Sequence, residues 1–466
     1  MSIWKPHKYQ QEAINFAIER PAAGLFLSPG LGKTSITLHI INHFKRKTLI
    51  VAPLRVVYSV WPNEISKWDN FQNIQYAILH GPDKEKNFLR KNVGVYLINP
   101  EGLKWLMKMI DRHKYFPFSN LVIDESSKFK SHKSKRFKEL VRYLKLFERR
   151  YILTGNPIPN TYLDLWAQIF ILDQGKTLGN NYYQYRNRFF YPGDFKGWSW
   201  KLHEGSEERI QQLCKPLVMH LSVEDVDEFD LPELMTNDIY YDLPPNALKA
   251  YKTMEKNQFV ALEENEEKLT APSAASAVMK CAQICNGFMY ETLDEEEKLI
   301  GKEPRTLDYH NTKIDLLKDL VEELQGSPIL VAYWFQEDYR RLREAFPNAA
   351  HIGKGVSGEE GQKIEKQWNN GEIPILLASM ASVSHGLNLQ DGPGHNIFLY
   401  CHTYDFDVYD QLVRRIWRQG AKHNRVMVHR PIAKNTVEEV MVKVVEEKDR
   451  TQSAFLNAIK LYIKEL

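Results

Sequence analysis

The sequence predicts an α/β protein with two lobes, each built on a parallel sheet and joined through helical insertions. Short apolar, β-branched runs alternate with longer amphipathic segments, and the runs are apolar on both faces, as in parallel strands covered by helices. They fall into two clusters, separated by a stretch of different character from about residue 160 to 312. The first cluster comprises 24–28, 48–53, 93–99, 120–125 and 149–155, and the second comprises 328–335, 373–379, 396–401 and 425–430.

Composition sets the outer limits. The chain has 466 residues, is 43% hydrophobic and 26% charged, and carries a formal net charge of +3. This excludes a disordered chain and leaves nucleic-acid binding open, because a local basic stripe can lie on a balanced protein. The four cysteines form no C-x-x-C pair, so we expect free, buried thiols in a reducing interior. With no apolar signal core and no membrane-length run, we expect a cytoplasmic protein, in the host if viral.

The segment between the two strand clusters predicts helical insertions and a linker. It contains an aromatic-rich stretch at 182–200 and acidic runs at 261–268 and 293–298. The aromatic stretch favours a packed helical protrusion over a base-stacking surface. We predict a first lobe at 1–220 with a protrusion at about 160–215, a linker and helical insertion at 221–310, and a second lobe at 311–466.

The stretch LSPGLGKT, from Leu27 to Thr34, predicts a phosphate-binding loop between a strand and a helix. It departs from G-x-x-x-x-G-K-[ST] at its first position, where Leu27 replaces glycine. Backbone N–H groups at a helix start can cradle phosphates, and the lysine and hydroxyl that follow can reach phosphate oxygens and Mg²⁺. The expected nucleotide ligands are Gly30, Leu31, Gly32, Lys33 and Thr34.

Two adjacent carboxylates, Asp124 and Glu125, end the strand-like run at 120–125. They lie at the carboxyl edge, where α/β proteins bind ligands. We expect Asp124 to hold Mg²⁺ together with Thr34, and Glu125 to orient and deprotonate the attacking water. Combined with the phosphate loop, this pair indicates a nucleoside triphosphate hydrolase.

The sequence LTGNPIPN at 153–160 resembles the third motif of superfamily two helicases, which in the Swi/Snf branch is usually LTGTPIQN. Further similarity extends along the chain, at 7–13, 49–68, 163–179, 311–324, 329–336, 378–390 and 411–420. The chain therefore resembles a Swi/Snf-type translocase of compact microbial or phage type. The resemblance implies two RecA-like lobes with ATP and Mg²⁺ between them, and motors of this superfamily relax the position of Leu27.

The run QLVRRIWRQG at 411–420 resembles the sixth motif. Gln411, Arg415 and Arg418 are spaced i, i+4 and i+7, which predicts one shared helix face. Guanidinium groups suit phosphate oxygens, so we expect Arg418 to be the primary arginine finger and Arg415 its neighbour. Fingers supplied by the second lobe would make hydrolysis depend on lobe closure.

Family resemblance also implies further site residues. It implies that Gln10 reads adenine, that Gln411 joins the nucleotide site, and that a coupling set links ATP to the DNA grip. That set comprises Ser127, Thr154, Gly155, Asn156 and Gly386. The chain departs from the family at Ser127, where histidine is usual, and at 382–384, where Ser-Val-Ser replaces A-G-G.

Nucleic-acid contacts are expected from a basic segment at 126–138 and from strand ends. Lysine contacts to phosphates give salt-sensitive, sequence-independent binding, and no base-reading motif is visible. The predicted partner is duplex DNA, bound by a monomer through Lys130, Lys135, Pro53, Arg55, Asn99, Ser379 and Asn388.

These observations favour translocation on duplex DNA, with remodelling of DNA or protein–DNA complexes. Three alternatives stay open: a strand-separating helicase on forked or branched DNA (less so RNA), a nucleic-acid-binding scaffold with an inactive ATPase, and a phosphotransferase using the same loop. The biological process is not indicated.

Overall fold

A computed structural model describes the chain except for residues 1–2, 159–160, 194–199, 223–224, 227–230, 264–270, 292–304, 384–386, 419, 448–457, 460 and 464–466. The chain divides into two compact units, Met1–Phe229 and Asp230–Leu466. Among the described residues, no helix combines the length and apolar character that crossing a membrane requires.

The first unit is built on a seven-stranded, fully parallel sheet in the order β3-β4-β2-β5-β6-β1-β9. Its strands, with the β7–β8 hairpin outside the sheet, are β1 (Ala22–Leu27), β2 (Thr48–Val51), β3 (Tyr76–Ile78), β4 (Val95–Ile98), β5 (Asn120–Asp124), β6 (Arg149–Thr154), β7 (Phe190–Pro192), β8 (Trp200–Leu202) and β9 (Val218–Leu221). The helices are α1 (Lys8–Ile18), α2 (Lys33–Phe44), α3 (Leu54–Tyr58), α4 (Val60–Lys67), α5 (Lys84–Phe88), α6 (Leu103–His113), α7 (Lys135–Val141), α8 (Leu165–Asp173), α9 (Tyr182–Phe189) and α10 (Ser206–Cys214).

Alternating residues of the same strand enter two different cores. Leu121 and Ile123 of β5 pack in one apolar cluster, whereas Val122 between them packs in the other. Helices therefore cover both faces of the sheet, which explains why the strands contain consecutive apolar residues rather than one at every second position.

The second unit has a six-stranded parallel sheet in the order β10-β17-β16-β13-β15-β14, and a separate antiparallel pair, β11–β12. Its strands are β10 (Glu233–Tyr241), β11 (Phe288–Tyr290), β12 (Thr306–Asp308), β13 (Ile329–Tyr333), β14 (Ala350–Ile352), β15 (Ile375–Ser379), β16 (Asn396–Leu399) and β17 (Arg425–Ala433). Its helices are α11 (Pro245–Glu263), α12 (Ala271–Cys285), α13 (Thr312–Glu323), α14 (Gln336–Ala345), α15 (Gly358–Asn369), α16 (Met380–Val383), α17 (Phe406–Val413) and α18 (Val437–Glu446).

These two parallel sheets confirm the predicted fold class. The segment predicted as linker and helical insertion, 221–310, supplies β10, α11 and α12 to the second unit, where the two helices pack with α18 in one apolar cluster. The four cysteines are free and buried, as predicted.

A buried ion pair ties several elements of the second unit together. Lys313 at the start of α13 pairs with Glu438 of α18, and both side chains are fully buried. The Lys313 ammonium also donates to Oδ1 of Asn286 at 2.8 Å and to the carbonyl of Tyr400 at 3.0 Å. An ammonium in an apolar interior is tolerated only when its donors are satisfied, so this network specifies how the elements pack.

Candidate nucleotide site

The predicted nucleotide residues of the first unit meet at one edge of its sheet. The loop after β1, the Asp124 carboxylate of β5 and the Thr154 end of β6 lie on adjacent parallel strands, with Asp124 in register with Leu153. The carboxyl ends of parallel strands share one edge, which is where ligands bind in α/β sheets. The fold therefore brings together residues that are about a hundred positions apart in sequence.

The phosphate loop depends on two glycines in the left-handed region. Gly30 has φ of 95° and Gly32 has φ of 78°, conformations that side chains other than glycine rarely adopt. A Cβ on Gly32 would lie 2.5 Å from Nε2 of Gln10. Backbone geometry thus favours glycine at both positions, close approach to Gln10 adds to this at Gly32, and α2 starts directly after Gly32.

Leu27 causes no defect in this loop. It is the last residue of β1, its side chain is fully buried, and it belongs to one apolar core of the first unit. Its carbonyl accepts a 2.7 Å hydrogen bond from the Lys33 ammonium, which also donates to the Ser28 carbonyl at 3.3 Å. The loop contributes backbone atoms at this position, and the leucine side chain stabilises the strand before it.

Gln10 lies against the loop, as a residue of the nucleotide site would. It is buried, its Nε2 donates to the Leu31 carbonyl at 3.3 Å, and its Oε1 accepts from the His7 N–H at 3.0 Å. These bonds hold the start of α1 on the phosphate loop. The predicted adenine-reading role needs part of this amide to turn toward the base.

The Asp124 carboxylate accepts a hydrogen bond from Trp61, a residue for which no site role was predicted. The fully buried Trp61 indole donates to Oδ2 of Asp124 at 3.1 Å. Burial is the main cause that raises the pKa of Asp124 to about 7, and the charge of Glu125 adds to the rise. Lys33 and the Trp61 N–H oppose it, and a bound cation would lower the pKa further. The tryptophan in the 49–68 block was the available signal.

Glu125 turns the chain sharply away from the strand. Its φ of 57° and ψ of 58° place it in the left-handed region, which is uncommon for a residue with a side chain. A 3-10 turn, Ser126–Phe129, follows at once. Such strain persists where surrounding contacts impose it, and it is often found at functional sites.

The residue after Glu125 is joined to the LTGNP segment by a glutamine. Ser126 donates to Oε1 of Gln168 at 2.7 Å, and Nε2 of Gln168 donates to the carbonyls of Pro157 at 2.6 Å and Asp164 at 3.1 Å. Ser126 and Gln168 are both fully buried. Family resemblance implied a coupling role for Ser127 instead, and the carbonyl of Ser127 closes the 3-10 turn by accepting from Lys130 N–H.

The other predicted coupling residues form a tight turn against the phosphate loop. The Thr154 hydroxyl accepts from the Asn156 N–H at 3.2 Å, and the Asn156 side chain accepts from the Ile158 N–H at 3.0 Å. A Cβ on Gly155 would be 2.9 Å from Cδ of Pro29. The loop and this turn therefore touch directly. Gly386, the remaining predicted coupling residue, lies outside the described residues.

The predicted single helix face for Gln411, Arg415 and Arg418 was wrong. Helix α17 ends at Val413, and both arginines lie in the turns that follow. The cause is the Arg415 side chain, whose Nε and Nη1 donate to the carbonyls of Gln411 and Leu387, each at 3.1 Å, while the Arg415 carbonyl accepts from Leu389 N–H. Arginines commonly satisfy the free carbonyls at a helix end in this way.

Arg414, in the same run, has a structural role. Its Nε donates to both carboxylate oxygens of Asp410 at 2.8 Å, and both residues are buried. Arg418 is partly buried, and its carbonyl accepts from Ala421 N–H.

The predicted nucleic-acid residues of the first unit follow strand ends or the 3-10 turn. Pro53 precedes α3, which contains the partly exposed Arg55. Asn99 follows β4 and its amide donates to Glu101 at 2.9 Å. Lys130 lies 3.6 Å from the Asp164 carboxylate, whereas Lys135 is exposed at the start of α7.

In the second unit, Ser379 ends β15 and is buried, and its hydroxyl contacts Tyr333. The side-chain amide of Asn388 donates to the Asp391 carboxylate at 3.2 Å. The backbone carbonyl of Asn388 accepts from the side-chain amide of Asn369 at 2.8 Å.

A phosphate loop, a carboxylate pair and two parallel sheets define a nucleotide hydrolase of the two-lobed, P-loop class. Residues 9–288 match the family model described as SNF2-related domain, and residues 312–420 match that of the helicase conserved C-terminal domain. The chain belongs to the SNF2-related family. It is accordingly a DNA-dependent ATPase of helicase superfamily two, as the sequence motifs predicted.

Relatives of this chain come from a phage and from cellular organisms. It is 34% identical to protein p41 of Acyrthosiphon pisum secondary endosymbiont phage 1, over 99% of this chain and 100% of that protein. It is 24% identical to an uncharacterized ATP-dependent helicase of Mycoplasma pneumoniae, over 96% of this chain and 42% of the relative. A solved SWI2/SNF2 ATPase core of Sulfolobus solfataricus in complex with dsDNA is 22% identical, with a TM-score of 0.43 over 98% of this chain and 95% of that one.

Proposed function

We propose that this ATPase moves along double-stranded DNA and thereby remodels DNA or protein–DNA complexes. One contact supports a motor above the alternatives: the Gly155 turn lies so close to Pro29 of the phosphate loop that a Cβ there would be 2.9 Å from the proline ring. A change in the loop on nucleotide binding would be transmitted to the turn by direct packing. A phosphotransferase or a scaffold with an inactive ATPase needs no such connection.

In this proposal, Lys33 and the loop N–H groups bind the phosphates, and Gln10 and Gln411 contact the nucleotide. Glu125 orients and deprotonates the attacking water, while Arg418, assisted by Arg415, stabilises charge on the transferred phosphate. The Lys33 ammonium donates to the carbonyls of Leu27 and Ser28. Phosphate oxygens would replace those carbonyls as its partners.

The residues at the strand edge fit Mg²⁺. The Thr34 hydroxyl at the start of α2 and the Asp124 carboxylate offer the oxygen ligands that Mg²⁺ prefers, with phosphates and water completing the set. The pKa of the Asp124 carboxyl is raised to about 7, and a neighbouring cation would favour its ionised form. Bound Mg²⁺ would neutralise charge on the phosphates.

We further propose that Gln168 performs the coupling that the family assigns to the residue at the Ser127 position. Its amide connects Ser126, next to the water-activating Glu125, with the Pro157 carbonyl beyond the Thr154 turn. A displacement of the 3-10 turn is thereby passed to the segment that follows β6. The DNA contacts proposed for Pro53, Arg55, Asn99 and Lys135 lie after strand ends or at the start of α7, and those for Lys130, Ser379 and Asn388 complete a grip on the backbone.

Three assays test this proposal. ATPase rates measured in parallel with duplex, single-stranded, branched DNA and RNA should show the greatest stimulation by DNA that contains duplex. Displacement of the third strand from a triplex tests movement on the duplex, and unwinding of a forked duplex tests strand separation. Triplex displacement without fork unwinding supports the translocase, and fork unwinding without triplex displacement overturns it in favour of a strand-separating helicase.

A further inference from the structure

Two basic segments free of acidic residues meet on the first unit. Residues 126–138 contain six lysines and arginines and no aspartate or glutamate, and residues 182–192 contain Arg186 and Arg188 with no acid. The first follows Glu125, and the second forms α9 and β7. Segments of this kind repel each other unless a contact of another type holds them together.

Aromatic stacking provides that contact. The ring of His132 lies 3.7 Å from that of Tyr182 with an interplanar angle of 22°, and Tyr183 approaches His132 edge-on at 5.9 Å. The Arg186 guanidinium lies 3.7 Å above the Trp200 ring and 5.3 Å from that of Tyr183. We call these five residues the basic–aromatic face.

Burial and neighbouring cations act together on His132. Burial is the largest cause lowering the pKa of His132, and the charges of Lys133, Lys138 and Arg186 lower it further. Two cations of the 126–138 segment and one of α9 therefore act on one imidazole. With its pKa below the usual value, the ring stays neutral near pH 7 and stacks as an uncharged aromatic.

The face is held by ring contacts and opens to solvent at Tyr183. Within the described part of the chain, His132 Nε2 and Arg186 Nε have no hydrogen-bond partner, and both side chains lie against aromatic rings. Tyr185 and Phe189 of the same helix are buried, which agrees with a packed protrusion, but Tyr183 is 50% exposed. The nearby carboxylate of Asp164 is already paired with Lys130.

We propose that the basic–aromatic face binds unpaired nucleotides of single-stranded DNA. Cations alone suffice to follow a duplex backbone, whereas an exposed aromatic ring gains by stacking only on a base that is not already stacked within a duplex. An arginine between two rings adds cation–π attraction and phosphate contact in the same place. This goes beyond movement on a duplex, because it directs the motor to DNA that carries a single-stranded portion.

The test compares two DNA ligands with face variants of the full chain. Fluorescence anisotropy measures the affinity for labelled oligo(dT) of roughly 16 nucleotides, the upper site size of one single-strand module, and for a blunt duplex. Tyr183→Ala and Arg186→Ala should each weaken oligo(dT) binding by about tenfold, since stacking contributes roughly 1–3 kcal/mol per base. Duplex affinity should stay unchanged in Tyr183→Ala, because a base stacked within a duplex offers no face to the tyrosine ring.

Two further variants keep the outcome decisive. Tyr183→Phe retains the ring and should bind oligo(dT) as the parent does, while Tyr76→Ala removes a partly exposed tyrosine from the distant edge strand β3 as a matched control. Equal losses on oligo(dT) and duplex would reduce the face to a backbone contact and overturn the proposal. Retained oligo(dT) affinity in folded Tyr183→Ala would overturn it as well. Neither result would affect the triplex assay.

Discussion

The Ser126 hydroxyl donates a 2.7 Å hydrogen bond to Oε1 of Gln168, and both side chains are fully buried although they lie 42 positions apart. Nε2 of the same Gln168 amide donates a second hydrogen bond, to the Pro157 carbonyl at 2.6 Å. Both polar groups of one glutamine are thus used to join the segment after Asp124 and Glu125 to the segment after β6. Family resemblance alone directed attention to Ser127 instead.

Gln168→Leu should uncouple ATP turnover from DNA. The change removes the bridge and leaves a buried hydroxyl and carbonyl without this partner, which costs about 1–3 kcal/mol of unfolding free energy per unsatisfied group. DNA-stimulated kcat should fall while the KM for ATP stays close to that of the parent. The exposed Gln75 supplies a matched control, Gln75→Leu. A Gln168→Leu protein with parental DNA stimulation would show that the bridge is merely structural.

Gly155→Ala should impair the site by packing alone. The added Cβ would meet Cδ of Pro29 at 2.9 Å, and overpacking of this kind costs about 1–3 kcal/mol. The thermal unfolding temperature and the ATPase rate should both fall. Gly358→Ala, which adds a methyl group where no heavy atom lies within 4 Å, is the control. Equal behaviour of the two variants would argue against close packing of the Gly155 turn on the loop.

Arg418→Ala should abolish turnover and spare nucleotide binding. An arginine finger acts on charge that develops in the transition state, and its removal costs about a thousandfold or more in kcat. Single-turnover ATPase and fluorescent-nucleotide titration separate the two effects, with Arg425→Ala at the exposed start of β17 as control. An Arg418→Ala enzyme that hydrolyses ATP at the parental rate would favour the phosphotransferase reading.

Stability should depend on pH through Asp124. Its folded-state pKa is raised from 3.8 to about 7, so the folded carboxyl keeps a proton that the unfolded one has lost. On account of this group the unfolding free energy falls as pH rises across that window. Asp124→Asn removes the effect, so its unfolding free energy relative to the parent should increase from the acidic to the neutral end and then level off. Urea denaturation without nucleotide at several pH values measures this, and a pH-independent difference would contradict the raised pKa.

Lys313→Met should destabilise the second unit severely. The substitution leaves Glu438 buried without its cation, and breaking a buried pair in this way costs about 3–5 kcal/mol. Lys434→Met breaks an exposed pair with Asp242, 3.2 Å apart, and should cost at most about 1 kcal/mol. Urea unfolding of the two variants provides the comparison. Similar midpoints for both would show that the buried network adds little to stability.

The sequence predicted the strands that contain an uninterrupted run of apolar residues. Strands such as β5 and β13 contain consecutive buried apolar residues, and their runs were identified directly. Strand β10 was missed because most of its residues are exposed, so it has no apolar run, and only pairing with β17 makes it a strand. The end of α17 was likewise misplaced, because its stop depends on carbonyls that Arg415 satisfies, one of them distant in sequence.

By itself, the sequence determined the class of this protein, since a glycine loop ending in Lys-Thr, a paired carboxylate at a strand end and an arginine-rich motif are local patterns with local chemistry. Tertiary structure alone decided how these parts are supported. Trp61 reaches Asp124 across 63 positions, Gln168 reaches Ser126 across 42, and His132 stacks on Tyr182. Hydrogen bonds and ring contacts form between residues that the sheet and its helices bring together. The pattern of apolar and polar residues along the chain does not predict which residues will pair in this way.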